Sequence, residues 1–212
     1  MKVTYTPADL IAFEDRVATL FAAGRIRAPV HLAGGNEEQL IHIFEEHVQP
    51  QDWVLCSWRS HYHCLLKGVP PEQVKQAILD GKSISLCFPE HRVLSSGIVG
   101  GTASIAVGLA IGIRRKGEQR KVVCFVGDMT AETGAFYEAV KYAVNFDLPV
   151  LFVVEDNGLS VNTSTADTWG HTATNSIWGS RYGVGHFGGG KVMWYRYNLT
   201  RPHVGIGKHV AF

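Results

Sequence analysis

Residues 121–163 limit the possible folds more than any other stretch, because they read as strand, helix, strand, with polar residues kept to the strand ends. Residues 121–126 form a short β-branched and aromatic run that stops at Gly127-Asp128. Residues 132–146 carry Phe136, Ala139, Val140, Ala143 and Val144 at helical spacing. A second apolar run, 149–154, stops at Glu155-Asp156-Asn157-Gly158. Strands that are apolar throughout and joined by one helix predict parallel neighbours in a covered sheet. The expected fold class is α/β, a parallel sheet with helices on both faces.

A right-handed crossover puts the carboxyl ends of both strands at one edge of the sheet, where open α/β sheets bind ligands. Asp128 and Asn157 are expected to meet there. A carboxylate, an amide oxygen and a loop carbonyl make a hard oxygen half-site. Such a set suits Mg²⁺ that takes its remaining ligands from water and phosphate. A helix from about Thr130 would direct its first N–H groups to the same place and favour an anion. Each residue alone has a plainer reading, Asp128 as a helix cap and Asn157-Gly158 as a turn. Their shared place at two strand ends favours a magnesium–phosphate site.

Gly127-Asp128 followed by Asn157 resembles the thiamine diphosphate motif, which opens with GDG and closes with NN. The likeness is to the alpha subunit of the decarboxylating component of 2-oxoacid dehydrogenases, the pyruvate and branched-chain type. It implies a thiamine diphosphate-binding fold in which Asp128, Asn157 and the Leu159 carbonyl hold Mg²⁺. It also places Gly127, Asp128, Met129, Thr130 and Asn157 at the cofactor. Two positions depart from the motif. Met129 stands where the last Gly of GDG is usual, and Asp156 replaces the first Asn. Met129 keeps a backbone N–H for phosphate but carries a side chain where Gly would allow close approach.

Upstream segments extend the resemblance. The stretch from Arg25 through His31-Leu32 to Glu37 is similar to one ahead of the family's cofactor contacts, which makes His31 a catalytic candidate. A lone loop histidine is otherwise a solvated or packing residue. Trp58-Arg59-Ser60-His61, then Lys67-Gly68, resembles an aromatic-Arg-x-His element and a basic-Gly pair. By that resemblance Arg59 binds the diphosphate, Trp58 packs at the cofactor and catalytic His61 lines the channel. The arginine fork suits phosphate oxygens. Two other readings compete, Arg59 as a surface charge and His61 with His63 as a metal pair on one strand face. No further ligand pair at zinc spacing supports the metal. The family's usual histidine near Ser85 is absent, and nothing demands that His91 replace it. Gly97-Ile98-Val99-Gly100, leading into a small-residue helix from 102 to about 114, resembles the loop around the aminopyrimidine ring. Gly97 and Val99 would offer backbone groups there, while tight packing alone is the plainer account.

Elsewhere the chain predicts a helix from Thr6-Pro7 to about Gly24 and a capping box at Asn36 to Gln39 opening a helix to about Val48. A strand is expected at 52–56, a helix from Pro70 to about Leu79 and irregular chain over 81–96. With 212 residues, 46% of them hydrophobic, a single domain over 1–212 can bury a core. Net charge of +1 leaves no nucleic-acid footprint. No apolar run is long enough for a bilayer, and Met1-Lys2-Val3-Thr4 does not open a signal peptide. Cys56, Cys64, Cys87 and Cys124 form no CxxC and suggest a reduced, cytoplasmic protein.

From about 160 the chain is expected to be irregular, with Trp169, His171, Trp178, Tyr182, His186 and Phe187 and no helix signal. Residues 191–197 predict a strand similar to the one before the family's catalytic histidine loop, and His203 is the candidate loop histidine. An ordinary surface loop is the alternative. The resemblance implies a beta subunit that completes the active site with a glutamate for the aminopyrimidine, in an α₂β₂ assembly. It implies decarboxylation of a small 2-oxo acid, with a lipoyl acyltransferase as a possible acceptor of the product. Two other readings stay open. One is the cofactor-binding half of a split transketolase; the other is a non-catalytic magnesium–phosphate scaffold.

Overall fold

In the computed structural model, which describes residues 1–169, 185–187 and 189–211, helices and strands alternate along most of the chain. The order is α1 (Pro7–Ala22), α2 (Glu37–His47), β1 (Trp53–Cys56), α3 (His61–Leu66), α4 (Pro71–Leu79), β2 (Cys87–Phe88) and β3 (Val93–Ser95). There follow α5 (Gly101–Arg115), β4 (Val122–Gly127), α6 (Asp128–Ala131), α7 (Gly134–Asn145) and β5 (Val150–Asp156). Last come β6 (Leu159–Ser160), β7 (Thr163–Ser164), α8 (Thr165–Trp169), β8 (Gly185–Phe187) and β9 (Val192–Arg196). The chain packs as two compact units. The first comprises Met1–Pro50, Cys56–Gly97 and Leu199–Phe212; the second comprises Gln51–Leu55 and Ile98–Asn198.

The second unit holds the expected sheet, with strands in the order β1-β4-β5-β9-β8. The first four run parallel, and β8 closes the far side antiparallel to β9. β5 is buried at every residue and β4 at all but its last. Both faces of these strands are therefore covered, which explains their lack of polar alternation. Helices α5 and α7 flank the sheet and pack on each other. Phe136 of α7 meets Phe152 of β5 edge to face, with ring centroids 5.3 Å apart. Backbone N–H of Lys121 donates to the Asp52 carboxylate at 2.9 Å, tying the start of β4 to that of β1.

In the first unit α1, α2, α3 and α4 form a helical layer beside a small β2–β3 hairpin. Thr6 caps α1 as its place before Pro7 suggests, and Asp9 makes the cap reciprocal: Thr6 Oγ1 accepts from Asp9 N–H, and the Asp9 carboxylate accepts from Thr6 N–H. The capping box expected at Asn36 does not form, since Asn36 makes no side-chain cap bond. Glu37 turns its carboxylate back to the Gly35 N–H instead.

Other expectations also change. Residues 81–96 are not irregular throughout, because Cys87–Phe88 and Val93–Ser95 pair across a 3₁₀ turn with Arg92 in the left-handed region. His61 and His63 lie on helix α3, not on a strand. The helix after β4 breaks at Glu132 into a single turn, α6, and a longer α7 capped by Thr133 Oγ1. The 160–190 segment opens with the β6–β7 hairpin and α8, where no regular structure was expected. His171, Trp178 and Tyr182 lie outside the described residues. Among the described residues no helix is long and apolar enough to cross a membrane.

The Phe136–Phe152 contact carries a stability test. Phe136 is fully buried, so Phe136→Ala should lower unfolding free energy by about 3–5 kcal/mol, read by urea denaturation.

Candidate functional site

The second unit presents one group of polar residues at the carboxyl ends of β4 and β5. Gly127 pairs with Glu155 in the parallel register, so Asp128 follows on one strand where Asp156 and Asn157 follow on the other. Asp128 is the first residue of α6 and is 2% exposed. One of its carboxylate oxygens accepts the Thr165 hydroxyl at 2.6 Å. A carboxylate offers about four lone-pair directions, of which this bond uses one. Asn157 Oδ1 accepts the Leu159 N–H at 2.9 Å, which turns the chain tightly through Gly158 at φ +71.

Asp156, the residue departing from the motif, is tied into the sheet. Its two oxygens accept the Gly158 N–H at 2.8 Å and the Trp194 indole N–H at 3.1 Å. It holds the turn that presents Asn157. Met129, the other departure, receives the Trp169 indole N–H on its sulfur at 3.3 Å. Thr130 is buried, and its carbonyl accepts both the N–H and the hydroxyl of Thr133. The expected pull of a long helix on an anion is corrected here, because only the one-turn α6 starts at the strand end. The oxygen chemistry of Asp128, Asn157 and the Leu159 carbonyl fits a hard divalent cation.

The first unit gathers His31, Arg59 and His203. His31 Nδ1 lies 2.7 Å from the His203 carbonyl, and Arg59 Nη2 lies 3.1 Å from His203 Nδ1 and 3.0 Å from the same carbonyl. A carbonyl only accepts and a guanidinium only donates. The proton therefore sits on His31 Nδ1, and neutral His203 carries its own on Nε2. Burial lowers the His31 pKa to about 4, and burial beside the Arg59 guanidinium lowers that of His203. Trp58 packs its ring near His31, with centroids 5.8 Å apart. The buried Trp58 indole N–H has no hydrogen-bond partner among the described residues.

His61, by contrast, has no exposed surface; it binds Glu14 through Nδ1 and Ser83 through Nε2. Lys67 is also buried, its ammonium held by the Pro50 carbonyl at 2.7 Å. Gly97 sits against Ile84, and a Cβ there would come within 3.2 Å of that side chain. Val99 is half exposed, beside Gly100 at φ +76. Sequence reasoning missed Glu14, Ser83, Thr165 and Trp194. None has a local motif, and their partners lie far away in the chain.

The fold and the strand-end residues define an α/β protein with polar side chains gathered at the carboxyl edge of a parallel sheet. Residues 6–183 match the family model of the dehydrogenase E1 component, and the chain belongs to that family. The curated relatives it matches include alpha subunits. The alpha subunit of acetoin:2,6-dichlorophenolindophenol oxidoreductase from Bacillus subtilis (strain 168) is 32% identical over 161 residues, covering 71% of this chain and 48% of that protein. The pyruvate dehydrogenase E1 component subunit alpha of Zymomonas mobilis is 30% identical over 183 residues, covering 81% of this chain and 51% of its own. The chain spans about half the length of the curated relatives it matches.

The neutral histidines have a thermodynamic consequence. His31 stays uncharged in the folded chain down to about pH 4, while an unfolded histidine charges near 6.5. Unfolding therefore takes up a proton in that window, so this contribution is intact above about 6.5 and is lost as pH falls toward 4. His31→Gln should flatten the stability–pH slope across that window, measured by urea denaturation at stepped pH.

Proposed function

We propose that this chain is the cofactor-binding part of the alpha subunit of a thiamine diphosphate-dependent 2-oxoacid dehydrogenase, acting with a beta subunit in an α₂β₂ assembly. The observation that carries the reading is the β4–β5 register, which sets Gly127-Asp128 beside Asp156-Asn157 in a chain of this family. When bound, thiamine diphosphate supplies the nucleophilic carbon and electron sink for decarboxylating a 2-oxo acid.

The chain's own residues bind and orient. Asp128, Asn157 and the Leu159 carbonyl would hold Mg²⁺, with Thr165 fixing the Asp128 carboxylate and Asp156 fixing the turn. Backbone groups at Gly127, Met129 and Thr130 would face the phosphates, and Gly97 and Val99 the aminopyrimidine. Arg59 would bind phosphate oxygens, and the Trp58 indole would donate to the cofactor. His31, with its proton on Nδ1, offers Nε2 as an acceptor; His203 offers an Nε2 proton. His61 would act on the channel only through its neighbours, being fully buried.

The family assignment favours this over the split transketolase half and the scaffold. Relatives named for acetoin justify a second substrate, a 2-hydroxy ketone, in any assay. A lipoyl acyltransferase is the proposed acceptor and the cytoplasm the proposed compartment.

Calorimetric titration of thiamine diphosphate with Mg²⁺ tests the reading, using the chain alone and then with its beta subunit. Binding is expected with the assembled pair, and Asp128→Ala should weaken it about a hundredfold or more. Decarboxylation of one member of a 2-oxo acid panel should follow. No binding by a folded, assembled pair would overturn the proposal, as would wild-type affinity in Asp128→Ala.

A further inference from the structure

Two buried carboxylates in the first unit make matching sets of bonds that the preceding roles leave unused. Glu14 and His61 have no exposed surface, and Glu37 is 7% exposed. Glu14 Oε1 accepts the Ala33 N–H at 2.9 Å, and its two oxygens each lie 3.1 Å from His61 Nδ1. Glu37 accepts the Gly35 N–H at 3.1 and 3.0 Å and the Tyr62 hydroxyl at 2.9 Å. Each carboxylate thus joins a backbone N–H of the 31–35 loop to a side chain from the first turn of α3. Ala33 is two residues beyond His31, and His61 is two beyond Arg59.

The Glu14–His61–Ser83 chain has the connectivity of a nucleophilic triad, with Ser83 Oγ 2.9 Å from His61 Nε2. Ser83 is fully buried, so no substrate reaches its hydroxyl. An orienting role remains. A carboxylate only accepts, which places the His61 proton on Nδ1 and leaves Nε2 to Ser83. The ring is held at both nitrogens and cannot turn without breaking a buried bond.

We infer that Glu14 and Glu37 are positioning residues, a paired clamp that fixes the His31 loop against the Trp58-Arg59 segment. The functional meaning rests on the proposed cofactor role of Arg59; the clamp itself does not. A rigid loop keeps water from the His31 ring, which packs against Trp58 and His203 and interacts electrostatically with Arg59, His203 and His61. Loosening the loop rehydrates the ring and raises its protonation midpoint. Removing a negative charge without loosening anything would lower that midpoint or leave it unchanged. The sign separates positioning from charge.

Histidine ring NMR on the labelled full chain between pH 8 and 5 tests this. Wild-type His31 should stay neutral throughout, consistent with a midpoint of about 4. Glu14→Gln and Tyr62→Phe should each bring the midpoint up into the observed range, with far-UV circular dichroism unchanged. Tyr62→Phe conserves the ring and removes one hydroxyl, so it carries the test if Glu14→Gln does not fold. A His31 signal that stays neutral to pH 5 in a folded variant overturns the clamp. Thiamine diphosphate titration of Arg59→Ala tests the underlying role separately. Unchanged affinity there would remove the cofactor role of Arg59 and leave the clamp standing.

Discussion

The parallel pairing of β4 with β5 is the constraint on which the second unit depends. Six consecutive pairs, from Val122 with Val150 to Gly127 with Glu155, run through strands covered on both faces. A buried strand interior has no room for an unpaired polar side chain. Polar chemistry is therefore pushed to the strand ends, from Gly127 and Glu155 onward, and parallel direction sends both ends the same way. Asp128, Asp156 and Asn157 share one edge because the strand stretches leading to them, Val122–Val126 and Val150–Val154, carry only apolar residues.

That logic explains what was legible in the sequence. The α/β class and the strand ends that carry Asp128 and Asn157 follow from a pattern of periods and stops, and the Thr6 cap follows from its place just before Pro7. Non-local competition hid the rest. Asn36 and Gln39 have the right spacing for a cap, but Glu37 is claimed by Gly35 and Tyr62. His61 looks like a channel residue beside Arg59 until Glu14 and Ser83, distant in sequence, enclose it. The break between α6 and α7 was hidden because Thr133 is both a tolerable helix residue and a better cap. The β2–β3 hairpin was too short for alternation to show.

The first unit divides its polar residues by charge state and depth. Carboxylates on Glu14 and Glu37 are buried where backbone N–H groups and neutral donors compensate them. The histidines nearer the surface, His31 and His203, are held uncharged by desolvation and by the Arg59 cation. The arrangement leaves Arg59 as the fixed positive charge of the cluster, with its histidine neighbours supplying directed hydrogen bonds.

The antiparallel β8 bears on how the sheet ends. A parallel strand beyond β9 would need a further crossover, usually a helix and a dozen or more residues. An antiparallel strand needs only a turn, and Gly189 and Gly190 adopt the positive φ values that a tight reversal requires. Gly185, His186 and Phe187 then pair with Trp194, Met193 and Val192, the buried part of β9. The chain thus supplies its own last strand cheaply, and covers backbone groups that could otherwise template pairing between molecules. Among the described residues that outer strand is only three residues long, which makes it a poor template for pairing between molecules.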